Sequence, residues 1–207
     1  MTKRTYRWLT ASLAVLALAA DQGTKYGMFR SLYDGSTRVE REVVPGWFKF
    51  TAEYDPAGEF CDCGFAALQT ANAPVMPRVN YGALFGLGGE HKATANAVFA
   101  GISLLAALGI VAWVGFRGAA IDAWLSAALG LILGGTVGNF YDRLVFHGVR
   151  DFLYFYKIEW PVFNVADCCL VAGAGMLLVH AFFVPSPPTT PAPPVPTPVA
   201  TPGERSA

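Results

Sequence analysis

Charge is what this sequence has least of. Lys, Arg, Asp and Glu make up 14% of its 207 residues, where a soluble globular domain carries about 25%. That deficit, with 54% hydrophobic residues and a mean hydropathy of +0.40, excludes an ordinary soluble fold and points to an integral membrane protein. The few charges balance, 15 basic against 15 acidic. No basic patch, Gly-rich phosphate loop or aromatic-interleaved basic strand is present, so nucleic acid is not an expected partner. Potential metal ligands are also sparse, with 3 His and 4 Cys. Cys61 and Cys63 form a C-x-C, and Cys168 and Cys169 read as packing residues at the head of an apolar segment. Joining Cys61 and Cys63 to His91 gives no recognised ligand spacing, so no metal is expected. There is no internal repeat.

What is present is long hydrophobic runs, to be read against a bilayer requirement of about 20 residues per helix. Ala97–Phe116 and Ala123–Tyr141 are free of charge, and Cys168–Val184 holds one ionisable residue, His180. The first run, from Trp8 to Ala20, has two readings. Lys3, Arg4 and Arg7 ahead of an apolar core, with Ala17-Leu18-Ala19 as a cleavage box, read as a removable signal peptide. Asp21 and Lys25, spaced i,i+4 so that they share a helix face, instead favour a helix that continues and is retained. On the second reading the fold class is an all-α membrane protein of four transmembrane helices, at about 8–27, 96–116, 121–141 and 165–184, within a membrane domain of residues 1–184. The short basic segments around Lys3, Arg4, Arg7 and Arg117 place both termini in the cytoplasm.

The region of about 30–93 then lies outside the cytoplasm. Val39, Val43 and Val44, then Trp47, Phe48 and Phe50 beyond Pro45-Gly46, read as short strands, and Arg78 to Phe85 as another extended piece. Together they predict a small extracytoplasmic β cradle on the membrane face. Between them Glu53–Pro77 is irregular, apart from an Ala-rich stretch at 65–73 that fits a helical turn or two. It holds Cys61 and Cys63 where thiols can oxidise. The Pro/Thr/Ala-rich tail, 185–207, cannot bury a core and reads as a disordered cytoplasmic spacer.

Polar residues inside such a chain are informative because each is costly in a bilayer. Gly130, Gly134 and Gly138 are spaced for close helix approach and have a packing role. Asn164 and Asp167 taken alone read as a cap and a first-turn acid, and Asp142 with Arg143 as an interfacial ion pair. Yet Asp21, Lys25, Asn80, Asn139, Asp142, Arg143, Asp151, Asn164 and Asp167 all fall at the same end of their segments, and such convergence points to a site. Asp151 and Asp167, sixteen positions apart by their numbers, flank the start of the last span. Two carboxyls that share a proton are what activates water in an aspartic peptidase.

The motifs DQGTK (21–25), NYGALFG (80–86), GGTVGNFYDR (134–143), GVRDF (148–152) and FNVAD (163–167), in this order, resemble the signature set of the lipoprotein signal peptidases, the type II signal peptidases. The resemblance covers about residues 8–184. It departs at Leu84, where the family pattern has a second Ala, and in Glu53–Pro77, which looks longer than the family's loop. It implies an intramembrane aspartic endopeptidase of the bacterial cytoplasmic (inner) membrane, multi-pass and monomeric. Such an enzyme removes signal peptides from diacylglyceryl-modified prolipoproteins, cutting before the lipidated cysteine, with water as nucleophile and no cofactor. Membrane lipids and the prolipoproteins would be its partners. Asp151 and Asp167 match the dyad. Asn80, Gly82, Asn139, Asp142, Arg143 and Asn164 match the residues that bind substrate or support the dyad, with Asp142 held ionised by Arg143. Asp21 and Lys25 match a structural pair tying the first span to the cradle, and the site would lie near the extracytoplasmic face. The competing reading is a non-catalytic four-helix transporter or scaffold. A transporter should carry polar residues near mid-membrane, where these spans are clean, and a scaffold working through its tail should fail when 185–207 are deleted.

Overall fold

The computed structural model describes residues 6–82, 92–116 and 122–183. Lys3, Arg4, Leu84, His91, Arg117 and the Pro-rich tail, each used in the sequence reading, lie outside the described residues, as does the far end of the extended piece 78–85.

Among the described residues four long helices form the body, α1 (Arg7–Leu32), α3 (Lys92–Phe116), α4 (Ala123–Val145) and α5 (Val165–Phe183), with a short α2 (Ala66–Asn72) between the first two. The helices α3, α4 and α5 are long and apolar enough to cross a bilayer. The helix α1 runs unbroken through Asp21–Lys25 for 26 residues, about 39 Å at 1.5 Å per residue. The outward faces of α3 and α5 expose Leu105, Val171 and Phe182, the pattern of helices solvated by lipid rather than water. Two of the helix starts have a clear local cause. The Asp122 carboxylate accepts from the Trp124 N–H at 2.8 Å to cap α4. Asn164 and Asp167 form a reciprocal capping box at α5, with Asp167 N–H to Asn164 Oδ1 and Asn164 N–H to Asp167 Oδ2, both 3.1 Å.

The small residues of α4 decide how the bundle closes. A Cβ on Gly134 would stand 2.5 Å from Ala17 Cβ, and one on Gly130 2.8 Å from the Thr10 carbonyl oxygen. A Cβ on Gly138 would stand 2.5 Å from Asp21 Oδ2. The face of α4 that meets α1 is therefore backbone, and its last glycine leaves room for a carboxylate rather than a methyl group. On the next face a Cβ on Gly135 would meet the Ala166 carbonyl oxygen of α5 at 2.5 Å. Thus α4 is the central helix, wedged between α1 and α5.

Outside the bundle, β1 (Arg38–Val44) and β2 (Phe48–Asp55) form the expected antiparallel hairpin, with Arg41 opposite Phe50 and Val39 opposite Ala52. Gly46 takes the positive φ of +76° in the turn. The other edge of β2 receives β3 (Met76–Pro77) and β4 (Leu153–Tyr154), both antiparallel. Phe29, Leu32, Ala52, Tyr54, Ala73 and Phe152 form the core beneath this sheet. The Tyr54 hydroxyl donates to the Phe29 carbonyl oxygen at 2.6 Å, fixing β2 on the end of α1. The Ala-rich stretch is α2, and Cys61 and Cys63 ahead of it are disulfide-bonded.

Because α4 has no space for a Cβ against α1, Gly134→Ala lowers stability by about 1–3 kcal/mol through overpacking. Gly109→Ala in α3, where nothing lies within 4 Å, leaves stability unchanged or raised. Thermal unfolding of the two variants in detergent micelles checks the contrast; equal melting temperatures would contradict it.

Candidate active site

The chain between α4 and α5 is irregular but not loose. Asn80 and Val149 exchange backbone hydrogen bonds of 2.7 and 2.8 Å, Phe152 N–H donates to the Phe163 carbonyl at 3.0 Å, and Phe152's own carbonyl accepts from Thr51 N–H at 3.0 Å. Asp151 sits inside this stitching, between two side chains that are essentially sealed from solvent: Arg150, 0% exposed, and Phe152, 1% exposed. One neighbour is fixed in a polar network and the other in the apolar core under the sheet. The Asp151 side chain itself remains partly open.

Its carboxylate accepts Asn164 Nδ2 at 2.6 Å on one oxygen and Asn80 Nδ2 at 3.0 Å on the other. Asp167 accepts Asn139 Nδ2 at 2.8 Å in addition to the capping bond from Asn164. Asn164 therefore contacts both carboxylates, and its amide also donates to Asn139 Oδ1 at 3.2 Å. Burial and, next, the neighbouring Asp167 charge push the Asp151 carboxyl up to about 7, against the opposing pull of the Asn80 and Asn164 hydrogen bonds. A groove of about 300 Å³ reaches Asp151, lined also by Thr51, Glu53, Arg78, Asn80 and Val162. Gly82, at φ +89°, donates its N–H to Asn80 Oδ1 at 2.9 Å, and a Cβ there would strike the Phe99 ring at 2.5 Å. Only glycine fits the turn that aims Asn80 at Asp151.

Within the bundle, directly beside these groups, lies a layer of buried charge. Lys25 Nζ meets Asp21 Oδ2 at 2.8 Å, Asp142 Oδ2 at 3.3 Å and Asn139 Oδ1 at 3.1 Å. Asp21 Oδ1 accepts the Ala166 N–H at 2.9 Å. Asp21 and Lys25 pair as expected, but they tie α1 to α4 and α5 rather than to the β cradle. They lie two to three turns before the end of α1 and point into the bundle, while the sheet rests on its last turns.

Asp142 is also partnered differently from the sequence reading. Among the described residues it forms no ion pair with Arg143, because adjacent helical residues point apart. Its cations are Lys25 and Arg150, the latter through Nη2 at 2.8 Å and Nε at 3.2 Å. Arg143 lies over the Phe99 ring, 5.2 Å from its centroid. Its Nε and Nη1 are buried with no partner among the described residues, and the Asp151 and Asp167 carboxylates both act on it electrostatically.

The structure joins Asn80, Asn139, Asp151, Asn164 and Asp167 by hydrogen bonds, and it adds three residues that the sequence reading did not name. Arg150, Gln22 and Asn72 meet in one cluster, Arg150 donating to Gln22 Oε1 at 2.8 Å and to Asn72 Oδ1 at 2.6 Å. Gln22 Nε2 in turn reaches Asp142 Oδ1 at 3.1 Å. The available signal was Arg150 itself, a cation beside Asp151 in a chain with few charges. Among the described residues, no group of three or more His, Cys, Asp and Glu gathers as a metal site would require.

Residues 71–183 match the family described as Signal peptidase (SPase) II, a stretch that holds Asn80, Asn139, Asp151 and Asp167. The lipoprotein signal peptidase of Psychromonas ingrahamii is 31% identical over 179 residues, 86% of this chain and 85% of that protein. The lipoprotein signal peptidase of Pseudomonas syringae pv. tomato is 33% identical over 178 residues, 84% of each chain. That of Rhodopirellula baltica is 45% identical over 133 residues, 58% of this chain, and the match spans 55% of its length. Two solved structures, both described as a bacterial membrane enzyme, share the fold. One has a TM-score of 0.64 at 23% identity, covering 88% of this chain and 92% of its own; the other has 0.62 at 22%, covering 89% and 99%. From the matched residues and the near full-length relatives, the chain belongs to the signal peptidase II family of membrane proteases.

Proposed function

We propose that this protein is an intramembrane aspartic endopeptidase that removes the signal peptide from diacylglyceryl-modified prolipoproteins, cutting before the lipidated cysteine. One observation carries the reading: Asn164 bonds both carboxylates, Asp151 through its Nδ2 and Asp167 through its backbone N–H, and a groove reaches Asp151. Asp151, raised to about 7, keeps a proton near neutrality and donates it to the scissile carbonyl oxygen. Asp167 takes the proton from the attacking water. The tetrahedral intermediate then collapses as the roles reverse, the proton passing to the leaving amine. Water is the nucleophile, and no cofactor enters. Arg143, with buried donors facing no partner among the described residues, receives a backbone carbonyl of the substrate.

The helix α1 serves as the fourth span, retained because its Asp21 and Lys25 are sealed against α4 and α5. Both termini are cytoplasmic, and the site and sheet lie at the outer face of the inner membrane, where the Cys61–Cys63 disulfide is compatible with an oxidising compartment. The tail 185–207 is cytoplasmic and serves as a spacer. The enzyme acts as a monomer. The substrate's acyl chains stay in the bilayer beside the bundle, contributing about 0.8 kcal/mol per buried CH₂. A transporter is disfavoured because the polar network lies at one end of the helices.

Asp151→Asn and Asp167→Asn each abolish cleavage of a diacylated prolipoprotein in detergent, read by gel shift, while the variants purify folded; near-normal turnover of either overturns the dyad. Arg143→Lys raises KM about tenfold, the loss of a charge-assisted hydrogen bond of about 1.5 kcal/mol, with the melting temperature unchanged. The sign of the pH dependence follows from the raised Asp151 carboxyl: the acid form is present below about 7 and lost above it. The kcat profile of the wild type therefore falls on its alkaline side with a midpoint near that value, and a profile flat to pH 9 would contradict the assignment.

A further inference from the structure

The stretch Glu53–Pro77 has no part in the chemistry above, yet its helix α2 sends two buried amides into the connection that delivers Asp151. Gln69 and Asn72 are both 0% exposed. Gln69 Nε2 donates to the Val145 carbonyl oxygen at 2.6 Å, satisfying one of the carbonyls that the last turn of α4 leaves without an intrahelical donor. Its Oε1 accepts from Cys61 N–H at 2.8 Å, which links it to the disulfide-bonded Cys61 and Cys63. One turn along α2, Asn72 Oδ1 accepts from Arg150 Nη1 at 2.6 Å. The two amides thus grip residues 145 and 150, the two ends of the connection between α4 and Asp151.

Arg150 is where that grip becomes positional. Its backbone N–H, Nε and Nη2 all bind Asp142, at 2.9, 3.2 and 2.8 Å. Its guanidinium also lies over the Phe146 and Tyr26 rings, 3.9 and 4.4 Å from their centroids. Asp142 and Gln22 fix the plane from the α4 and α1 sides, and Asn72 fixes the remaining Nη1 from α2. Asn72 Nδ2 has no partner among the described residues, so the oxygen alone accounts for an amide at this buried place. A planar guanidinium held on three sides cannot rotate, and its own backbone nitrogen is one residue from Asp151.

We infer that the disulfide-bonded segment Cys61–Asn72 is a positioning element of the reaction, with Gln69 and Asn72 acting through Val145 and Arg150 to hold the Asp151 carboxyl against Asn80 and Asn164. This rests on the reading of Asp151 as the catalytic acid. Loosening Arg150 lets the 148–152 turn shift and water reach the Asp151 carboxyl, so both the rate and the acidity of that group change while substrate binding does not.

The test uses the full-length protein in detergent and a synthetic lipopeptide with a diacylglyceryl cysteine after a signal-peptide sequence. Asn72→Ala lowers kcat about tenfold, equivalent to about 1.4 kcal/mol, with KM within twofold. It also moves the alkaline limb of the kcat profile to lower pH. Asn72→Asp, which keeps an oxygen for Arg150 Nη1, retains kcat within threefold of wild type. Gln69→Leu, which removes only the Val145 and Cys61 contacts, moves kcat and the limb in the same direction as Asn72→Ala and supplies the result if that variant does not fold. Wild-type kcat and limb in both Asn72→Ala and Gln69→Leu overturn the inference, as does equal loss in Asn72→Ala and Asn72→Asp with the limb unmoved, which marks a role in stability alone. Asp151→Asn in the same assay separates the two levels. An active Asp151→Asn overturns the catalytic reading and this one with it. An inactive one beside wild-type-like Asn72→Ala and Gln69→Leu overturns only the role of the segment.

Discussion

Four charged side chains, Asp21, Lys25, Asp142 and Arg150, are sealed at 0% exposure within the bundle, beside the candidate site. Removing an isolated ion from water costs several kcal/mol even after relaxation, and only close, fully bonded pairing offsets it. Here the offset is complete in sign, two carboxylates against two cations, and nearly complete in hydrogen bonds through Gln22, Asn72, Asn139 and the Ala166 N–H. The consequence is geometric. Losing one partner strands a buried charge, at about 3–5 kcal/mol, so the relative placement of α1, α4 and α5 near this layer is not adjustable. The glycines of α4 belong to the same constraint, since Gly138 leaves the space that Asp21 occupies.

The candidate site stands on that layer. Lys25 bonds Asn139, Asn139 bonds Asp167 and receives Asn164, and Asn164 bonds Asp151. On the other side Asp142 bonds Arg150, the residue before Asp151. Each carboxylate of the proposed dyad is therefore reached from the charged layer by a short chain of hydrogen bonds, one through asparagine side chains and one through the backbone. Asparagine suits these links because its amide donates and accepts at once without adding charge. A site that must hold two carboxyls close together, against their repulsion, needs such fixed neighbours more than it needs further charge.

Much of this was legible in the sequence. The uncharged runs gave α3 and α4, Pro45-Gly46 gave the hairpin turn, and the scarcity of charge made each Asp and Asn conspicuous at one end of its segment. The Asp21–Lys25 pair followed from i,i+4 spacing alone. What could not be read was which charge pairs with which across the fold. Asp142 looked paired with Arg143 because they are adjacent, whereas helix geometry turns them apart and the closing of the chain brings Arg150 and Lys25 instead. Gln69 and Asn72 carried no signal in the Ala-rich stretch, because their burial depends on α2 docking against the end of α4. Periodicity reports local faces; it carries no information on contacts between residues 78 positions apart, as Asn72 and Arg150 are.

The central claim is that Asp151 holds a proton at neutral pH beside Asp167. The carboxyl C=O stretch of a protonated aspartate absorbs apart from the carboxylate bands, so infrared difference titration of the purified protein between pH 5 and 9 observes it directly. A shared site predicts a carboxyl band that disappears with a midpoint of about 7 and is missing from Asp151→Asn. No carboxyl titrating above pH 5, or the same band persisting in Asp151→Asn, would contradict it.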